Sequence, residues 1–108
     1  MTEITIIYGR APHMYRCIVD VPVKYQQRGP ERKVEFTDLD MLAIGEAFFR
    51  AECASADRTG APRPTREYVS KYNIVAIFGV NDAHAAFCPN EPFHFSLPIP
   101  ADDPPVVQ

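Results

Sequence analysis

The densest group of side chains that could do chemistry lies in the sequence HAAFCPNEPFH, which holds His84, Cys88 and His94. Imidazole nitrogens and a thiolate sulfur are ligands that zinc prefers, and a further cysteine or aspartate could supply a fourth. A strand over residues 83–88 would hold His84 and Cys88 about 13 Å apart, which is too far for one ion. The spacing therefore favours a surface imidazole and a packed thiol, and we expect neither a metal nor a cofactor.

The same residues could supply a cysteine–histidine nucleophile pair, but the spacing does not decide which cysteine would meet which histidine. The sequence also contains no GxSxG, HExxH, P-loop or GxGxxG pattern, which mark common catalytic and phosphate-binding sites. The residue patterns therefore favour a protein that is not an enzyme.

Glu46 is the acidic residue that most invites a functional interpretation, because it lies among apolar residues on one stripe of a predicted helix. If the chain buried this stripe, loss of solvent would raise the pKa of Glu46, as in a general base or a polar pocket contact. The favoured alternative places the carboxylate at the rim of the stripe, paired with a neighbour such as Arg50. The candidate partner-binding or pocket residues are Leu39, Leu42, Glu46, Phe49 and Cys53.

Basic residues form two local groups that could attract a nucleic acid. A sheet that reads RNA needs exposed aromatic rings beside such charges, whereas Tyr15 and Tyr25 share the predicted core face of their strand. We therefore expect a solvated surface of mixed charge, with nucleic-acid binding unlikely. The two groups are Arg10, Arg16, Lys24, Arg28, Arg32 and Lys33, and Arg58, Arg63, Arg66 and Lys71.

The element that must position Glu46 is a predicted helix over residues 37–54. Thr37 can cap it, and Asp40 completes a capping box. At 100° per residue, one apolar stripe consists of Met41, Ile44, Phe48 and Ala51, and the candidate residues form a second stripe about 120° away. Because a sheet covers only one stripe, the second must meet another layer, a partner or a ligand.

Alternating and continuous apolar runs predict the strands of an antiparallel sheet. They cover residues 2–8, 15–25, 33–36, 73–80, 83–88 and 93–97, and residues 55–64 are expected to form a loop. Thr65 can cap a short helical turn that extends to Lys71. The predicted fold is an α+β two-layer sandwich, in which a mostly antiparallel sheet of about five to six strands carries the main helix on one face.

The 108 residues predict one domain over residues 1–97 and a mobile, Pro-rich acidic tail over residues 98–108. A net charge of −3 disfavours non-specific binding to nucleic acids or acidic membranes. We expect no membrane span and no signal peptide. The three cysteines are widely spaced and form no CxxC motif, which is typical of reduced thiols and favours a cytoplasmic protein.

These patterns lead to a hypothesis and two alternatives. The leading hypothesis is a non-enzymatic protein-binding module of inhibitor or adaptor type, such as phages and mobile elements encode, with a second copy of itself as one option for the partner. The first alternative is a small-molecule binder or enzyme with a pocket between helix and sheet. That pocket would be lined by Leu42, Glu46, Phe49, Tyr15 and Tyr25. A nucleic-acid binder is the second alternative.

Overall fold

The protein is described by a computed structural model that covers residues 2–22, 26–28, 33–79 and 86–98. The main sheet has the strand order β2-β1-β5-β6, and β3 and β4 form a separate antiparallel pair. The α+β class, the antiparallel sheet and the single main helix are therefore confirmed. The elements are β1 (Thr2–Arg10), β2 (His13–Val21), β3 (Gln26–Arg28), β4 (Lys33–Glu35), α1 (Asp38–Thr59), α2 (Arg66–Val69), β5 (Ile74–Phe78) and β6 (Ala86–Phe87).

The predicted count of five to six strands in one sheet is not confirmed. Three strands, β1, β2 and β5, form most of the main sheet, and β6 adds only two residues beside β5. The apolar run that predicted a central strand does form β5, which lies between β1 and β6.

The predicted last strand, residues 93–97, does not continue the sheet. Phe93 makes one bridge to β5, and the chain then leaves the sheet. Phe95 and Leu97 are buried as the alternation predicted, but they pack against α1 at Gly45. A Cβ on Gly45 would lie 3.3 Å from both side chains. Because glycine has no side chain, Phe95 and Leu97 can pack closely against the helix at this position.

The alternation is confirmed in β1 and in β2 from Cys17 to Val21, but Tyr15, which was predicted to lie on the core face, is 55% exposed. Ile4 lies opposite Val19 and Ile6 opposite Cys17, so that the apolar side chains of both strands share one face. The strands join at a tight turn that contains a cis Ala11–Pro12 bond. The second strand was predicted to extend to residue 25, but β2 ends at Val21. Residues 23–25 lie outside the described residues.

The core lies between this face of the sheet and α1. The first helical stripe supplies Ile44 and the buried Phe48, which is the largest fully buried side chain of the described chain. Burying a side chain of this size contributes about 2–3 kcal/mol to folding. The buried core cluster consists of Ile4, Ile6, Val19, Val21, Ile44, Phe48, Val69, Ile74, Ile77, Phe95 and Leu97.

Both ends of α1 follow local rules, although the predicted end was wrong. Thr37 Oγ1 accepts a hydrogen bond from the Asp40 amide (3.1 Å), and Asp40 Oδ2 accepts one from the Thr37 amide (3.0 Å), which completes the predicted capping box. The helix continues through part of the predicted 55–64 loop to Thr59, because nothing before Gly60 breaks it. Gly60 takes a left-handed conformation (φ +73°), and its amide donates to carbonyls of the last turn.

Several predictions fall on residues outside the described ranges. They concern the Asn81–Asp82 connection, most of the predicted strand over 83–88, and the tail beyond Pro98. Among the described helices, none has the length and apolar character needed to cross a bilayer.

We expect Gly60→Ala to lower the free energy of unfolding by about 1 kcal/mol. An added Cβ would meet nothing within 4 Å, so the loss arises from backbone strain at positive φ alone. Gly60→Asn is the matched control and should lose less, because asparagine tolerates the left-handed conformation. Urea denaturation measures both variants, and an alanine variant as stable as the wild type would contradict this explanation.

Candidate binding sites

The second stripe of α1 is divided between an exposed end and a covered end. Leu39 is 77% exposed and Leu42 is 39% exposed. Phe49 and Cys53, further along the helix, are only partly exposed, and Cys53 Sγ lies 4.0 Å from the carbonyl oxygen of Pro64. The stripe thus meets both solvent and another segment of its own chain.

Arg66, the first residue of α2, covers the middle of this stripe. Its guanidinium group donates from Nη1 to Glu46 Oε1 and from Nη2 to Glu46 Oε2 (2.9 Å for the second pair). Its central carbon also lies 4.6 Å from the centroid of the Phe49 ring, within cation–π range. The bidentate pair and the ring contact together join α2 to α1.

The charge state of Glu46 follows from this pairing. Hydrogen bonds from Arg66 hold the pKa of Glu46 below its ordinary value, against the opposing effect of partial burial. The rise in pKa that full burial of the stripe would have caused is therefore not seen. The carboxylate is paired at the rim of the stripe, but its hydrogen-bonding partner is Arg66 and the nearby charge of Arg50 makes a smaller contribution.

Leu42 also lines a shallow pocket beside the amino-terminal half of α1. The cavity has a volume of about 260 Å³ and is mostly apolar. Its lining residues are Asp38, Met41, Leu42, Phe93, His94, Phe95 and Ser96. It lies at the seam where the segment after β6 crosses the helix.

A larger pocket at the other end of the helix collects four of the five tyrosines of the chain. Its volume is about 390 Å³, which lies within the usual range for ligand pockets. We call it the tyrosine pocket, and it is lined by Tyr8, Gly9, Tyr15, Glu52, Tyr68, Tyr72 and Asn73.

The rings of the tyrosine pocket form two walls. Tyr8 lies between Tyr15 and Tyr72, with centroid distances of 5.4 and 5.5 Å and interplanar angles of 28° and 8°. Because parallel rings touch at about 3.5 Å, these distances require sideways offsets of roughly 4 Å. Tyr15 remains 55% exposed. Tyr68 meets Tyr72 at 5.4 Å and 80°, so the second wall stands almost perpendicular to the first.

Glu52 gives the tyrosine pocket its charge. Among the described residues that line the pocket, Glu52 alone carries an ionised side chain. Its Oε1 accepts a hydrogen bond of 2.7 Å from the hydroxyl of Tyr8. Burial and this hydrogen bond raise the pKa of Tyr8 far above its ordinary value, so the phenol stays neutral in any physiological buffer. The pocket therefore combines neutral aromatic surface with one negative charge.

Gly9 lets β1 and β2 approach closely at the floor of the pocket. Its φ is +114°, and an added Cβ would lie 2.3 Å from the carbonyl oxygen of His13. Its amide donates to the carbonyl oxygen of Asn73 (2.9 Å), which holds the start of β5 against β1. Only glycine fits this position. The neighbouring residue pair between the two strands is Tyr8 opposite Tyr15.

Local hydrogen bonds fix the two tyrosines that come from beyond the main helix. Thr65 caps α2, as predicted, because its Oγ1 accepts from the amide of Tyr68 (3.1 Å). Nδ1 of His94 donates to the carbonyl oxygen of Tyr72 (3.0 Å). These two hydrogen bonds anchor the backbone at Tyr68 and at Tyr72.

The residues considered as metal ligands or nucleophiles are described only in part. His84 lies outside the described residues. His94 is exposed, and Cys88, which was expected to be a packed thiol, is also exposed. No group of three histidine, cysteine, aspartate or glutamate residues within the described ranges could hold a metal ion. Burial raises the pKa of Cys17 to about 11, with a further contribution from Glu52, so this thiol is protonated at neutral pH.

Three of the four basic residues around the loop after α1 are paired with carboxylates. Arg63 makes two hydrogen bonds to Asp57, of 2.8 and 2.6 Å, in addition to the pair that Arg66 makes with Glu46. Lys71 Nζ lies 3.6 Å from Glu67 Oε1 on the surface. These neighbouring carboxylates neutralise the local positive charge that a phosphate backbone would need.

The residue patterns alone do not identify the tyrosine pocket as a site. They predicted a pocket that contains both Tyr15 and Glu46, whereas the structure places Tyr15 opposite Tyr8. Tyr25 lies outside the described residues. A signal for part of the pocket was present, because a tight hairpin at Ala11–Pro12 fixes the register that pairs Tyr8 with Tyr15. The contribution of Tyr72 depends on long-range packing that the alternation does not encode.

We expect Glu46→Gln to lower the free energy of unfolding by about 1–2 kcal/mol at pH 7, because Arg66 loses a charged bidentate acceptor. The folded pKa is lowered, so this stabilisation is complete above the ordinary carboxyl pKa of 4.5 and disappears as the pH falls through the folded pKa.

Urea denaturation at pH 7 and pH 3 tests this dependence. The matched control is Glu67→Gln, which removes an exposed ion pair with Lys71 and should change stability by less than about 0.5 kcal/mol. A difference between wild type and Glu46→Gln that persists unchanged at pH 3 would show that the ionised carboxylate is not its source.

No protein-family model matches this chain, and neither the curated proteins nor the solved structures contain a significant match to it. The functional assignment therefore depends on the geometry and charge of the described surfaces.

Proposed function

We propose that the protein is a non-enzymatic, cytoplasmic protein-binding module of inhibitor or adaptor type, and that the tyrosine pocket is its recognition site. One observation carries this proposal: four tyrosines from separate parts of the chain surround one carboxylate in an open pocket. Tyrosine supplies a rigid, amphipathic contact surface at a small loss of conformational entropy, and it is enriched where proteins bind partners.

Exposure within the pocket supports this proposal. The side chains of Tyr15 and Tyr68 are 55% and 61% exposed, although each ring contacts another tyrosine. They can therefore lose further solvent-accessible area when a partner binds, while the inner rings hold them in place. The charge of Glu52 favours a partner that presents a positive group.

The chemistry of two partly buried thiols favours packing over nucleophilic catalysis at these positions. Burial raises the pKa of both Cys17 and Cys53, which lowers the fraction of reactive thiolate at neutral pH. Tyr8 is held as a neutral phenol by Glu52 and by burial. These groups contribute packing and hydrogen bonding.

The exposed end of the second helical stripe supports a second candidate surface. Leu39 and Leu42 lie one turn apart and both expose apolar area beside the shallow pocket under the helix. Exposed apolar area of this kind is typical of protein interfaces. Here the partner would be a second copy of the chain.

We expect ligand contacts to appear first at the tyrosine pocket. The protein with ¹³C-labelled tyrosine rings is titrated with a fragment library and with short lysine-rich peptides, and tyrosine signals are followed by NMR. Ligands that bind should shift several tyrosine signals. Tyr68→Ala should weaken the affinity for these ligands about fivefold or more. Leu39→Ala is the control and should leave the affinity unchanged, because Leu39 does not line the pocket. If no fragment or peptide shifts any tyrosine signal, the proposal fails.

A separate measurement tests the leucine surface. If two copies meet there, light scattering after size exclusion should give twice the chain mass of 12.2 kDa at high concentration. Leu39→Glu combined with Leu42→Glu should restore the monomer mass, because two buried charges would oppose the contact. Tyr68→Ala is the control for this experiment. A wild-type protein that stays monomeric throughout the range would exclude the homodimer.

A further inference from the structure

We infer that the tyrosine pocket binds a methylated or quaternary ammonium group, such as trimethyllysine in a partner protein or the headgroup of choline. This inference rests on the proposed binding role of the pocket and specifies the chemical class of its ligand. It follows from the ring geometry, the charge and the hydrogen bonding of the residues that line the pocket.

The aromatic surface suits a cation. A cation is attracted to the face of an aromatic ring within about 6 Å of its centroid. Tyr15 and Tyr68 are 55% and 61% exposed, and Tyr68 stands almost perpendicular to Tyr72. An ammonium group in this corner can contact more than one ring, because the two walls face different directions.

Glu52 selects for positive charge over neutral or anionic groups. It is the ionised side chain among the described lining residues, and its hydrogen bond from Tyr8 holds it at the aromatic wall. The same carboxylate would repel a phosphate or a carboxylate ligand.

The pocket suits a methylated ammonium better than a primary one. A primary ammonium is strongly hydrated and needs acceptors for three N–H groups when it leaves water. One oxygen of Glu52 already accepts from Tyr8, and apart from Glu52, Gly9 and Asn73 the lining residues are tyrosines. Methyl groups replace those N–H donors with apolar surface, while the positive charge remains.

The surface next to the pocket has room for the remainder of a ligand. A broader, open depression of about 530 Å³ shares Glu52, Tyr68 and Tyr72 with the tyrosine pocket and continues along the loop after α1. Pro62 and Pro64 contribute to its surface. An extended chain attached to the ammonium group can therefore continue across the surface, as a peptide side chain and its backbone would.

Neutral and charged probes of the same shape test this inference. Choline is compared with 3,3-dimethylbutan-1-ol, in which carbon replaces the quaternary nitrogen, by NMR titration of the labelled tyrosine rings. A peptide with trimethyllysine is compared with the same peptide carrying unmodified lysine. We expect choline to bind with a dissociation constant on the order of 1 mM, at least tenfold tighter than the neutral alcohol.

Matched variants assign the effect to the rings and the carboxylate. Tyr68→Phe keeps the ring and should retain choline binding, whereas Tyr68→Ala should weaken it about fivefold. Glu52→Gln keeps an acceptor for Tyr8 but removes the charge, and it should weaken choline about five- to tenfold. The affinity for the neutral alcohol should not change in Glu52→Gln. Far-ultraviolet circular dichroism checks that each variant is folded.

The outcomes separate the inference from the proposed function. A trimethyllysine peptide that binds much more tightly than choline identifies a protein as the source of the ammonium group. Equal affinities identify a small molecule as the source and overturn the proposed protein partner of the pocket. If the neutral alcohol binds as tightly as choline, or if other fragments bind and both ammonium probes fail, the ammonium inference is overturned and the binding role stands. If every probe leaves the tyrosine signals unchanged, both proposals are overturned.

Discussion

The burial of the Phe48 ring is the interaction on which both the fold and the tyrosine pocket depend. The ring is fully buried and meets Tyr8 and Tyr72 edge-on, with centroid distances of 5.0 and 6.0 Å. It also contacts Phe95 at 5.6 Å, in the segment that crosses the helix. One side chain therefore joins α1, β1, the turn before β5 and the segment after β6. The pocket walls have little freedom to move independently of the core, because they pack against its largest member.

The second stripe of α1 is only partly covered by the rest of the described chain. Arg66 covers Phe49 with its guanidinium group while it neutralises Glu46, so one residue shields an aromatic ring and satisfies a carboxylate. Leu39 and Leu42 lie beyond its reach and remain exposed. The helix therefore has a closed middle and an open end, and the open end is where a further contact would bury additional apolar area.

Local sequence signals predicted the elements better than their assembly. The Thr37 capping box, the core stripe of α1 and the alternation of β1 and of β2 from Cys17 to Val21 depend on neighbouring residues, and all are present in the structure. The helix end was missed because the position of Gly60 was treated as part of a loop and not as a cap. Residues 93–97 were misassigned because an alternating pattern is the same for a strand and for an extended segment that packs on a helix.

The candidate site was less accessible to sequence reasoning for the same physical reason. The carboxylate at Glu46 was expected to pair within its own helix, but its partner lies 20 residues further along the chain. Tyr8 and Glu52 are 44 residues apart, and only the crossing of helix and sheet brings them to a distance of 2.7 Å. Contacts of this kind are set by tertiary packing, for which residue spacing gives no direct measure.

The arrangement of tyrosines also has a spectroscopic consequence. The chain has no tryptophan, so tyrosine dominates its absorption near 280 nm, and four of its five phenol rings are held in one asymmetric array. Rings separated by 5.4 to 5.5 Å have coupled electronic transitions, which give each arrangement a characteristic optical activity. The protein thus contains an intrinsic chromophore at the pocket, through which a change in ring geometry can be distinguished optically from a loss of helix or sheet.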